Sequence, residues 1–281
     1  MANNEFMWSL LLHFGTNLWS DREEYGFSNK LNFDVQTWDE TIEYAKECGI
    51  DTLVIDVADA VRYQSHPEIS VEGAWLPEKL KAEVLKLKGM GFAVYPKLNF
   101  ATTHDAWLKE YSKMVSTPVY YQVCKDLIDE IAEIFDAPKY IHLGMDEEWH
   151  TCITYDHECH RRGKLLWHDL NFYFECVREN NAVPWIWADP YWYFKDEFLV
   201  NVPKDVLISP WYYDTFKKEF LGIDTRYTIP QMSTSLTELA QDGYEIVACS
   251  SNWASAGHME ELVGYCKSHT DPSKLKGFMM A

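Results

Sequence analysis

Three adjacent carboxylates, Asp146, Glu147 and Glu148, directly follow the apolar run 140–145. Like charges in a row repel one another and raise at least one carboxyl above its ordinary range. A carboxylic acid still protonated near neutral pH is what general-acid catalysis needs. A charge run is usually a solvated loop, but this one is fed by an apolar strand. Strict strand alternation puts Asp146 and Glu148 on one face and Glu147 on the other. Strand ends bend, so alternation leaves open which Glu carries the proton. A second group of reactive side chains follows: His150 and Cys152, then Asp156, His157, Glu158, Cys159 and His160. Imidazole and thiolate groups of this kind can hold zinc. Their spacing matches no standard zinc motif, so a polar loop entering a helix, with no metal and no cofactor, is the expectation.

The elements that must position the carboxylates alternate along the chain. Strand patterns occupy residues 10–17, 52–58, 92–99, 140–146, 183–189, 206–212, 245–251 and 275–280. Helical patterns occupy 35–48, 77–90, 118–135, 159–180, 236–241 and 259–267. Gly49 and Gly91 stand where two of these helices should stop. Eight strands alternating with helices predict an α/β fold, a (β/α)8 TIM barrel, as one domain over 1–281. The last strand pattern ends at the final residues, so a chain truncated before its closing helix is expected. A doubly wound open sheet is the alternative. It is opposed by the lack of a glycine-rich phosphate fingerprint after the first strand.

Such barrels carry their chemistry at the C-terminal ends of the strands. The first expected end gives His13 and Asn17, with Trp19 beyond, and the second gives Asp56. The third gives Lys97 and Asn99, then His104, and the fourth adds Trp149 to the three carboxylates. The fifth gives Trp187 and Asp189, the sixth Trp211, Tyr213 and Asp214, and the seventh Asn252 and Trp253. Any one of these is ordinary. Polar or aromatic residues at seven ends predict a lined pocket, with the residues around the carboxylates binding substrate.

Composition narrows the substrate. The 44 acidic and 25 basic residues give a formal charge of -19. That field repels phosphate backbones and anionic lipid, which argues against nucleic acid and membrane partners. A neutral ligand is compatible with it. Twelve Trp and 17 Tyr supply flat apolar walls of the sort on which sugar rings pack. Seven cysteines, an odd and scattered set, fit a reducing compartment better than a disulfide framework. The N-terminal residues lack the charge and length of a signal peptide, and no segment is long enough to span a bilayer. A cytoplasmic protein is therefore expected.

Two blocks carry a resemblance. His142-Leu143-Gly144-Met145-Asp146-Glu147 resembles the His-x-Gly-Gly-Asp-Glu end of the fourth strand in the family 20 glycoside hydrolases, the β-N-acetylhexosaminidases. Tyr95-Pro96-Lys97-Leu98-Asn99, followed by Ala101-Thr102-Thr103-His104, is similar to that family's Pro-Glu-x-Asp segment with its later Pro-Gly-His. Trp211-Tyr212-Tyr213-Asp214 fits the family's sugar-binding walls. The chain departs from the pattern at three places. Met145 replaces a Gly, Lys97 and Asn99 replace acids, and the first strand offers His13 where the family has an arginine. The resemblance implies a glycosidase acting on a terminal hexosamine or a related sugar. Glu147 would protonate the leaving oxygen, and Asp146 would orient the substrate's own 2-acetamido group, whose carbonyl attacks the anomeric carbon. Without an acetamido group, Asp146 or Glu148 would have to serve as nucleophile or base. Bulky aromatic loop residues on a compact barrel favour a pocket, hence exo action.

Two other functions compete. A metal-dependent barrel hydrolase would draw ligands from several strand ends, yet the first strand gives a single His13 rather than a His-x-His pair. A sugar-binding barrel without turnover would have no use for an acid beside Asp146.

Overall fold

The computed structural model describes residues 6–20, 22–148, 159–214, 216, 230–252 and 256–281. Eight parallel strands close in sequence order: β1 (Met7–His13), β2 (Thr52–Asp56), β3 (Ala93–Lys97), β4 (Tyr140–His142), β5 (Val183–Trp187), β6 (Leu207–Ser209), β7 (Ile246–Ser250) and β8 (Leu275–Met280), which pairs back onto β1. The expected (β/α)8 barrel is the observed fold. β2 and β7 are buried along their whole length, as strands covered on both faces must be. Closure depends on Gly277, because a Cβ there would lie 2.3 Å from the Met7 carbonyl oxygen.

The helices on the outside are α1 (Val35–Glu47), α2 (Pro77–Gly89), α3 (Pro118–Ile134), α4 (Gly163–Glu179), α5 (Asp189–Asn201), α6 (Pro230–Gln241) and α7 (His258–His269). Their starts follow from local chemistry. The Asp34 carboxylate accepts the Thr37 N–H at 2.7 Å and caps α1. Thr117 does the same for Tyr120, with Pro118 at the first helical position of α3. α3 then buries Val123, Leu127, Ile128 and Ile131 against the barrel. Each such side chain is worth roughly 1.5–3 kcal/mol of transfer free energy. Among the described residues, no helix is long and apolar enough to cross a membrane.

Three expectations about the elements need correction. β1 ends at His13, not at Asn17. β4 has three residues, so 143–148 is loop rather than strand. α5 lies over residues that carry no expected helix. Its aromatic run Tyr191–Phe194 hides the helical period, and the backbone kinks at Phe194, where φ is -137° and ψ 43°.

Candidate active site

The strand register sets a level belt of side chains at the barrel mouth. His13 pairs with Asp56, Asp56 with Lys97, Lys97 with His142, and His142 with Trp185. Asp56 and Lys97 are buried and form an ion pair. His13 Nδ1 stands 3.3 Å from the same Asp56 oxygen. Burial alone pushes the Asp56 carboxyl up, but Lys97 and His13 outweigh it and hold the group at about 2. The belt thus places a paired cation, and an exposed imidazole, where the resembling motifs have acids and an arginine.

Beyond His142 the chain turns sharply. The His142 Nδ1 accepts the Gly144 N–H at 3.0 Å, so the neutral ring carries its proton on Nε2. Burial, reinforced by Lys97, pushes this imidazole well below its usual range and keeps it neutral. Gly144, Met145 and Glu147 all have left-handed backbone, with φ of 74°, 75° and 57°. Each non-glycine residue there costs roughly 1–2 kcal/mol. Met145 carries that cost at the position where the resembling motif has its second glycine. Gly144 cannot be anything larger. A Cβ would sit 2.0 Å from the Asn99 Oδ1. Gly144→Ala is therefore expected to cost at least about 2 kcal/mol in urea unfolding and to displace Asn99. Wild-type stability and turnover in that variant would refute the tight turn.

Groups from the loop after β3, the start of α5 and the residues before α4 hold the strained arc. Asn99, just past β3, accepts the Met145 N–H at 3.3 Å and donates its Nδ2–H to Asp146 Oδ1 at 2.8 Å. Thr103 Oγ1 lies 3.3 Å from the Asp146 carbonyl and donates to it. Asp189, at the start of α5, accepts the Glu147 N–H at 2.9 Å on one oxygen and the Trp211 Nε1–H at 2.9 Å on the other. Its burial, with Asp146 adding to it, pushes the Asp189 carboxyl well above the carboxylate range. Glu148 is buried and bound by Arg161 through Nε at 2.7 Å and Nη2 at 2.6 Å.

The arc leaves two carboxylates partly open, Asp146 and Glu147, with side chains 20% and 25% exposed. His104 is buried beside both. Its Nε2 is 3.5 Å from Glu147 Oε2 and 3.9 Å from Asp146 Oδ2. Burial raises the Glu147 carboxyl, His104 opposes that rise, and the Asp146 charge adds to it. A partly open acid with a raised pKa, beside a carboxylate, is the chemistry of proton donation to a leaving group. The ring of Trp19, half exposed at the mouth, meets His104 edge-on at 5.7 Å.

Other expected site residues fall into two groups. Trp187 is buried, with its ring 4.7 Å from His142. Trp211 and the half-buried Tyr213 lie 5.0 Å apart. Tyr213 is close enough to feel the Asp146 charge, and burial pushes its hydroxyl well up. Asp214 is buried and Asn252 exposed. Two expectations are corrected. Asn17 is buried and ties its own loop to the one after β2, donating to Asp59 at 2.6 Å and to the Ser28 carbonyl at 2.7 Å. Glu148 is committed to Arg161 and to the Thr102 N–H at 3.1 Å, so its oxygens are spent on protein. Trp149, Trp253 and the zinc candidates His150, Cys152 and His157 lie outside the described residues. Cys159 is exposed, and His160 accepts from Arg162 Nε at 3.3 Å. Among the described residues no group of three or more His, Cys, Asp or Glu is placed to share a metal. Arg161 contributes without any motif to mark it, whereas Thr103 lies inside the second block and Trp19 beyond the first strand end.

Comparison with known proteins bears on the fold and the family. No curated protein sequence matches the chain. Among solved structures, the exo-β-N-acetylglucosaminidase of Vibrio harveyi, in complex with N-acetylglucosamine, is 14% identical. That match covers 99% of this chain and 50% of the Vibrio chain, with a TM-score of 0.66. The β-N-acetylhexosaminidase of Streptomyces coelicolor A3(2) is 12% identical, over 96% of this chain and 57% of its own, with a TM-score of 0.67. The N-acetyl-β-hexosaminidase of Streptomyces plicatus is 14% identical, over 96% and 57%, with a TM-score of 0.66. At such identities the likeness shows the fold, and this chain spans little more than half the length of these relatives. The sequence model for the catalytic domain of glycosyl hydrolase family 20 matches residues 56–254, a span that runs from Asp56 through Asp146 and Glu147 to the last aromatic strand end. Covering well over half the chain, that match makes it a member of glycosyl hydrolase family 20.

Proposed function

We propose that this barrel is an exo-acting glycosidase that releases terminal N-acetylhexosamine, with Glu147 as general acid and Asp146 orienting the substrate's acetamido group. The observation that carries the reading is the Asp146–Glu147 pair itself. One carboxyl is raised by burial, and the other has a single oxygen tied to Asn99. The named relatives, an exo-β-N-acetylglucosaminidase and two β-N-acetylhexosaminidases, support the sugar class.

The proton of Glu147 passes to the glycosidic oxygen as the bond from that oxygen to the anomeric carbon breaks. The acetamido carbonyl oxygen forms the new bond to the anomeric carbon from the opposite face. Asp146, through the oxygen that Asn99 leaves open, accepts the acetamido N–H and offsets the positive charge that develops on that group. The ionised Glu147 then takes a proton from water, whose oxygen attacks the anomeric carbon and restores the acetamide. No enzyme nucleophile is needed. Anomeric configuration is retained because displacement occurs twice.

A hydrolysis screen tests this. Chromogenic N-acetylglucosaminides and N-acetylgalactosaminides are compared with their non-acetylated analogues. Turnover of the acetylated sugars alone is the expected result. Activity confined to the non-acetylated sugars would sink the substrate-assisted route. Measurable sugar binding with no hydrolysis of any substrate would make the protein a binding module.

A further inference from the structure

One buried cation lies behind the site and belongs to neither motif. Arg161 sits just before α4, and its side chain is fully buried. All five of its guanidinium N–H donors have acceptors. Nε donates to Glu148 Oε1 at 2.7 Å. Nη2 donates to Glu148 Oε2 at 2.6 Å and to the Phe100 carbonyl at 2.7 Å. Nη1 donates to Asp169 Oδ2 at 3.1 Å and to the Tyr173 hydroxyl at 2.9 Å. The far end of this network is itself fixed. Asp169 accepts from Ser116 Oγ at 2.6 Å and from the Tyr121 hydroxyl at 2.5 Å.

The partners of Arg161 come from both loops that build the site. Glu148 is the residue after the acid Glu147. Phe100 follows Asn99, and the Thr102 N–H, two residues before His104, donates to Glu148 Oε2 at 3.1 Å. Thr102 Oγ1 also donates to the Cys159 carbonyl, so the same loop meets the chain just before Arg161. The β3 loop carries Asn99 and His104. The β4 loop carries Asp146 and Glu147. Their mutual placement, including the 3.5 Å approach of His104 to Glu147, depends on what clamps one loop to the other.

We propose that Arg161 is a positioning residue that locks the β3 and β4 loops together through Glu148 and so sets Glu147 in register with His104. A buried ion pair serving stability alone is the plainer reading. Two features favour the clamp. The bidentate geometry fixes orientation as well as charge. Glu148 directly follows the catalytic pair, and Phe100 and Thr102 lie on the loop that carries Asn99 and His104. The strained arc 144–147 also needs external restraint, since its left-handed residues would relax if released.

The kinetic arm of the test rests on the proposed function, and the exchange arm does not. Arg161→Lys keeps the charge but cannot fork to both Glu148 oxygens. Glu148→Gln keeps the shape and removes the anion, and it serves if the first variant folds poorly. Hydrogen exchange of the Met145 and Glu147 amides, bound in the wild type by Asn99 and Asp189, is expected to speed up by about tenfold or more in either variant. Amides of β4 itself should not change. With an N-acetylglucosaminide, kcat per folded molecule should fall by about 10–100-fold with KM nearly constant. A merely structural pair would lower the melting temperature and the folded fraction but leave kcat per folded molecule alone. Unchanged amide exchange in a folded variant overturns the proposal, as does faster exchange with unaltered kcat. Should the wild type hydrolyse no glycoside, the proposed function fails, and the exchange result still decides whether Arg161 clamps the loops.

Discussion

Glu147→Gln is expected to lower kcat by about 10³-fold while N-acetylhexosamine still binds, because a positioned general acid typically contributes 10²–10⁴-fold. The amide keeps the size of the carboxyl but has no proton to give. The loss should depend on the leaving group. A nitrophenolate departs without much help, so an aryl glycoside should suffer less than an alkyl one. Equal losses on both would mean that Glu147 does something other than protonate. The pH profile carries the same signature. The acid works only while protonated, and burial raises its carboxyl from the ordinary value. On its basic side, activity should therefore decline as pH rises through that raised pKa. His104 opposes the rise, so His104→Asn should move this basic limb to higher pH. Loss of activity in Glu148→Gln with a fully active Glu147→Gln would move the acid to Glu148, against the pairing of Glu148 with Arg161.

The sequence made the barrel and the carboxylate pair legible for different reasons. Alternating elements are written in hydrophobic periodicity, and eight of them leave few topologies. The arc 143–148 is legible as a motif but not as a shape. A period-two argument treats it as strand, whereas three left-handed residues fold it over the mouth. That conformation is imposed by Asn99, Asp189 and Arg161, residues 13 to 47 positions away from the arc residues they bind. The division of labour between Glu147 and Glu148 was open for the same reason. Adjacent glutamates look alike in a string, and only a partner 13 residues on, Arg161, separates the buried ion-paired one from the other. α5 escaped because its first turns are packed with aromatics that face the barrel and its neighbours alike. The departures from the family pattern, by contrast, acquire a physical sense. Lys97, standing where an acid is usual, is neutralised by Asp56, and Asn99 in a similar position supplies an N–H where a carboxylate would have repelled Asp146.

That last contact shapes what Asp146 can do. Asn99 spends its Oδ1 on the Ala101 and Met145 N–H groups, at 3.1 and 3.3 Å, which orients its Nδ2 toward Asp146. The bond it donates takes Asp146 Oδ1, leaving Oδ2 for the acetamido N–H. Asp146→Ala should accordingly lower kcat on N-acetylhexosaminides by about 10²–10³-fold, the usual cost of deleting one preorganised electrostatic partner. The informative experiment adds azide. If Asp146 were the enzyme's nucleophile, its removal would open space at the anomeric carbon, and azide would restore turnover and yield a glycosyl azide. If the acetamido oxygen is the nucleophile, azide has no vacancy to fill and should restore nothing. Rescue by azide would therefore overturn the substrate-assisted route while leaving Glu147 as the acid. Asn99→Asp probes the same oxygen from the other side. A second carboxyl at 2.8 Å from Asp146 Oδ1 would force the pair to share a proton, so Asp146 would ionise only at higher pH and the acidic limb of the profile should rise with it.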